Sequence, residues 1–217
     1  GEKAINAVCQ GSAGDHGAGP PEEGSVTVYY HAVARYWVKA YDFQPYFRRD
    51  GEAPGVSTNV IPVRFPATDL AERFVMLANS SLFYYWWITQ SDEFHVLPSE
   101  CLGFRVPDND ACWPPPAETH RLVADLMQSY RTNAQRRRRR FGGRIVEYDE
   151  FYPRRSLPEI HAIDDVVAKQ VPTIRNAVSM NIDVYDDPTL TWYADVSAAS
   201  DARSPYGLLM AFPNGSK

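Results

Sequence analysis

No run of apolar residues approaches the roughly 20 that a membrane-crossing helix requires, so no such span is expected. Cysteine is scarce. Cys9, Cys101 and Cys112 are odd in number and show no Cys-x-x-Cys spacing, which argues against a disulfide framework or a zinc site and for reduced thiols in a cytoplasmic protein. The histidines, His16, His31, His95, His120 and His161, stand at no metal-ligand spacing with cysteine or with one another. Dinucleotide, P-loop and nucleophile-elbow glycine motifs are all missing, so neither catalytic residues nor a metal is expected. No signal peptide is visible in the polar, glycine-rich start. The chain opens on Gly1 rather than methionine, so we expect a piece of a longer polypeptide or a residue left by tag removal.

What is present suffices for one ordinary domain, or one plus an appendage: 217 residues, 44% of them apolar. The aromatic share of 13% suggests a contact surface beyond the core. A net charge of −5 speaks against nonspecific coating of nucleic acid but leaves room for a local basic groove.

Residues 1–24 carry many breakers and no hydrophobic period, and read as a flexible linker. A domain is expected over 25–170 and a weakly patterned acidic segment over 171–217. Val26 to His31 alternates and is β-rich, as a strand does. Ala32 to Ala40 suits a short helix or a second strand. Turns are expected at Pro45 and Asp50-Gly51, then a strand from Val56 to Phe65 with Pro62 favouring an edge. The best helix covers residues 69–88 and can break near Asn79. Further helices are expected over 117–135 and 158–170. Residues 145–151 fit a strand or a helix.

Two stretches stand out. Phe83 to Trp87 is five consecutive aromatics, more than one helix face can bury, so some rings must point toward a second layer or a ligand. Arg136 to Arg140 is five consecutive arginines, suited to a solvated helix face, a mobile arm or contacts to phosphates. Glu147, Asp149 and Glu150 follow closely and are expected to pair with the arginines rather than bind a metal.

Tyr29-Tyr30, Arg35-Tyr36-Trp37-Val38-Lys39-Ala40-Tyr41-Asp42, Pro45-Tyr46-Phe47, Leu77 to Trp87 with Ser91-Asp92 and His95, Glu147 to Ser156, and Ile163-Asp164 together resemble a known domain. It is the C-terminal target-recognition region (Taq-like specificity class) of adenine-N6 DNA methyltransferases and fused restriction-modification enzymes, some of which act in phage defence. The resemblance covers roughly residues 26–170. It implies a module that recognises double-stranded DNA sequence-specifically and partners a catalytic methyltransferase domain or subunit. S-adenosylmethionine would be bound there, with no cofactor in this chain. DNA-facing residues would be Arg35, Lys39, Arg48, Arg49, Asn59, Ser91, Asp92, His95, Arg136, Arg137, Arg138, Arg139 and Arg140, with phosphate contacts setting position and polar side chains reading base edges.

The expected fold is α+β: a small mixed or antiparallel sheet packed against helices, with a more helical C-terminal part. The alternatives to DNA recognition are an interaction module that docks a methylase or nuclease subunit, and a metal-dependent nuclease fragment.

Overall fold

The computed structural model describes residues 2–4, 24–34, 37–92, 94–103, 105–107 and 113–177. It is a mixed α+β fold, as the sequence patterns imply. Strands β2 (Val26–His31), β3 (Ala40–Tyr41) and β5 (Val60–Phe65) form one antiparallel sheet in the order β3-β2-β5. Pro62 lies on β5, an outer strand, where its missing N–H interrupts no inner ladder. A second antiparallel sheet runs β4-β8-β7, from β4 (Phe47–Arg49), β7 (Gln135–Phe141) and β8 (Arg144–Glu150). Strand β1 (Glu2–Ala4), inside the expected linker, pairs with β6 (Arg105–Pro107).

Helices α1 (Thr68–Ala78), α2 (Ser81–Gln90), α3 (Pro98–Gly103), α4 (Pro116–Asn133) and α5 (Leu157–Ala177) complete the fold. Helix α5 runs past the domain boundary expected near residue 170. Among the described residues no helix is long and apolar enough to cross a membrane.

One core joins these layers. Val28, Tyr30, Val63 and Phe65 of the first sheet meet Phe74, Leu77 and Ala78 of α1, Leu122 and Leu126 of α4, and Ile160 and Ile163 of α5. The aromatic run divides its rings by direction. Phe83 and Trp87, four residues apart and so on one face of α2, are buried in this core. Tyr84 instead stacks on Trp37, with ring centres 4.9 Å apart. Tyr84 thus serves a second layer, and that layer is protein. Of the stretch Ala32 to Ala40, expected as a short helix or second strand, the described residues 32–34 and 37–39 lie in no helix or named strand, and Trp37 and Val38 enter the core just before β3.

The helix expected over 69–88 breaks at Asn79-Ser80, and the break is the centre of the molecule. Asn79, Ser80 and Ser81 are all buried, so each polar atom needs a protein partner. Asn79 Nδ2 donates to the carbonyls of Ala40 (2.9 Å) and Val75 (2.8 Å), while Oδ1 accepts from Tyr130 Oη at 2.9 Å. Ser80 caps α2, its Oγ accepting from the Phe83 N–H at 3.2 Å. Asp164 of α5 accepts from the Ser81 N–H at 2.8 Å and pairs with Ser81 Oγ at 2.7 Å. Burial pushes the Asp164 carboxyl up to about 7, outweighing the Ser81 hydrogen bonds that favour its charged form.

Two outcomes are expected. Asn79→Ala strands the Tyr130 hydroxyl and the Ala40 backbone, and should lower stability by about 2–4 kcal/mol in urea titrations. Asp164 binds its proton more tightly folded than unfolded, so its contribution is full below the ordinary carboxylate range and is lost as pH rises to about 7. Wild-type protein should therefore lose on the order of 3 kcal/mol more than Asp164→Asn between the acid and neutral ends of that window. Parallel stability–pH curves for the two proteins would show that Asp164 does not titrate there.

Candidate functional site: an arginine-rich sheet

The five-arginine run is neither a helix face nor an arm: it is strand β7. The reason lies at Gly142-Gly143. Both glycines have positive φ (54° and 85°), the requirement of a tight two-residue hairpin, and β7 and β8 pair across them from Phe141↔Arg144 to Gln135↔Glu150. A strand sends successive side chains to opposite faces. Arg136, Arg138 and Arg140 therefore share one face, and Arg137 and Arg139 the other.

Each face carries its own counter-charges. On the first, Arg136 Nε donates to Asp149 Oδ1 at 2.5 Å while its guanidinium lies over the Tyr46 ring at 3.5 Å. The hydrogen bond to Asp149 holds Arg136 above its usual range. Glu147, in the middle strand, is shared: Arg48 from β4 reaches Oε2 at 2.6 Å and Arg138 from β7 approaches Oε1 at 3.5 Å. On the second face, Arg137 donates to Tyr152 Oη (2.5 Å) and Glu150 Oε2 (2.7 Å), bonds that raise its pKa. Burial pushes Glu150 up, but the hydrogen bonds from Tyr152 and Arg137 outweigh it and leave the carboxyl below its usual range. Arg49 stands over the Phe47 ring at 5.8 Å. Among the described residues, Arg139 and Arg140 have no carboxylate within ion-pair distance.

The other expected site residues gather at one end of the first sheet. The His31 N–H donates to the Lys39 carbonyl, the Ala32 N–H to the Asn59 carbonyl at 2.8 Å and the Val96 N–H to the Ala32 carbonyl at 2.9 Å, which draws Lys39, Asn59 and His95 together. Lys39 Nζ turns back to the Trp37 carbonyl at 3.2 Å. Ser91 ends α2. Asp92 and His95 engage each other: Nδ1 meets Oδ2 at 2.7 Å, and Asp92 also accepts the His95 and Phe94 N–H groups. The His95 side-chain hydrogen bond and these backbone bonds lower Asp92 to about 2. Arg35 lies outside the described residues.

Sequence reasoning foresaw that Glu147, Asp149 and Glu150 pair with the arginines. It missed Tyr46 and Tyr152, which cushion Arg136 and Arg137. The available signal was the Gly-Gly pair, which places Arg136 and Arg138 opposite Asp149 and Glu147.

A family model described as "Phage tail tube protein, TTP" matches residues 159–217, of which 159–177 lie in α5. No curated protein and no solved structure matches the chain.

These findings correct the resemblance to the target-recognition region of adenine-N6 DNA methyltransferases. The family that matches is a phage tail protein, with no link to restriction-modification, to DNA as a partner or to a methyltransferase subunit. The docking and nuclease alternatives tied to that setting fall with it. The physical reasons agree. Leu77 to Trp87, the most specific part of the resemblance, is accounted for by core packing and the buried Asn79-Ser80-Ser81 junction. The arginines expected to grip phosphates divide between two faces, and Arg48, Arg136, Arg137 and Arg138 already face carboxylates.

Sharing of Glu147 by Arg48 and Arg138 sets a modest energetic scale, because exposed ion pairs contribute little. A double-mutant cycle on Arg48→Met and Glu147→Gln should give a coupling of about 0.5–1 kcal/mol in low salt. The coupling should shrink toward zero in molar salt. A salt-independent value would mean that the pair acts by packing.

Proposed function

We propose that this chain is a structural protein of a phage tail that works by assembling with other copies of itself or with other tail proteins. The observation that carries the reading is the match of residues 159–217 to the tail tube family. The described part of that match fits an assembly role. The first half of helix α5 is anchored from inside by Ile160, Ile163 and Val167 and by the Asp164–Ser81 pair, so the family match begins on a firmly held element. The arginine sheet fits it too, as a charged surface held in a set geometry by its own carboxylates. Assembly would take place in the cytoplasm of the producing cell, where Cys101, whose thiol burial pushes well up, stays reduced.

The test is assembly of the purified full chain. Light scattering should report mass rising with concentration, and negative-stain microscopy should show rings or tubes of regular repeat. A species that stays monomeric at every concentration, alone and with the other tail proteins of its phage, would overturn the reading.

A further inference from the structure

Strand β7 is an outer strand, so one row of its backbone N–H and C=O groups faces away from the sheet. It is seven residues long and exposed over most of that length, and its far end, Phe141, is 57% exposed. Among the described residues no backbone bond outside the pairing with β8 engages Arg136 to Arg140. An open edge of this length is a template for another strand. Its arginines repel most candidates and favour an acidic one. The three strands of the sheet hold eight arginines against three carboxylates, so a positive excess remains after every internal ion pair is made.

The chain contains a complementary segment. Between Arg175 and Arg203 there is no lysine or arginine, and there are five aspartates: Asp183, Asp186, Asp187, Asp195 and Asp201. Within this stretch residues 181–187 (Asn-Ile-Asp-Val-Tyr-Asp-Asp) carry β-favouring Ile182, Val184 and Tyr185 and are closed by Pro188. The run is seven residues long, the length of β7. In an extended chain Asp183 and Asp187 fall on one face and Asp186 on the other. Arg139 and Arg140, the two β7 arginines with no carboxylate at ion-pair distance among the described residues, are divided between faces in the same way.

We infer that residues 181–187 of a neighbouring copy add to the free edge of β7 as a fourth strand, with their aspartates against Arg139 and Arg140. The inference rests on the assembly reading above in taking the partner to be a second copy. Charge complementarity supplies the match: the segment carries only negative charge and the outer end of β7 only positive.

Charge exchange in the full-length protein tests this. Arg139→Glu with Arg140→Glu, and separately Asp183→Arg with Asp186→Arg and Asp187→Arg, should each weaken self-association at least about tenfold by sedimentation, with melting curves unchanged. An equal mixture of the two should associate again, because the reversed edge accepts the reversed segment. Arg139→Gln with Arg140→Gln guards against a folding artefact and should fall between. If wild-type protein associates and the reversals leave that association intact, the strand contact is wrong and the tail reading stands. If wild-type protein does not associate, both fall. Reversals that lower the melting temperature of the monomer without touching association would place the segment on its own chain and overturn the inference.

Discussion

The fold depends on a polar junction placed where apolar packing alone would be expected. At the break between α1 and α2, the Asn79 amide holds the backbone of β3 and the Tyr130 hydroxyl of α4, and the Ser81 backbone and hydroxyl hold Asp164 of α5. Sheet, helix pair and C-terminal helix are thereby fixed to one point. Apolar contacts tolerate sliding; hydrogen bonds between buried groups do not, since any shift leaves a polar atom unpaired at a cost of about 1–3 kcal/mol. The junction therefore selects one arrangement of layers that the hydrophobic core would stabilise in several.

Asp164 adds a second constraint. Its carboxyl lies at the start of α2, where free N–H groups favour negative charge, yet it is buried deeply enough that burial prevails and the proton is held to about pH 7. In either protonation state its two oxygens keep Ser81 as partner, so the contact survives titration while its strength changes.

How much of this could be read from the sequence follows from the range of the forces involved. Helices α1, α4 and α5 are announced by local periodicity, and β2 by local alternation. The helix break at Asn79 is local as well, because Ser80 caps α2 from three residues away. The partners of Asn79 and Ser81 were not legible. They lie 39, 51 and 83 residues distant, and no local pattern encodes a contact at that separation. The arginine run misled for a related reason. Five like charges suggest repulsion and an extended arm, and they pair as a strand only because β8 places Glu147 and Asp149 opposite them through the Gly-Gly turn. Asp92 and His95 drew attention as polar groups after an aromatic helix, yet they spend their hydrogen bonds on each other. A polar side chain says nothing of ligand binding until its local partners are counted.

The same counting separates the two halves of the arginine strand. Near its base, Arg136 and Arg137 are held by carboxylates and aromatic rings from neighbouring strands and from Tyr46 and Tyr152, and their charge is spent inside the sheet. Toward the hairpin, Arg139 and Arg140 stand opposite Val146 and Ile145, which offer no charge. A strand neutralised along its whole length would be a solubility device, since charge on an outer strand discourages random pairing. Charge without a close counter-ion at the outer end does more: it sets a condition that a pairing strand must meet. Beyond α5 this chain carries five aspartates against one arginine and one lysine, a segment of the sign that such a condition admits.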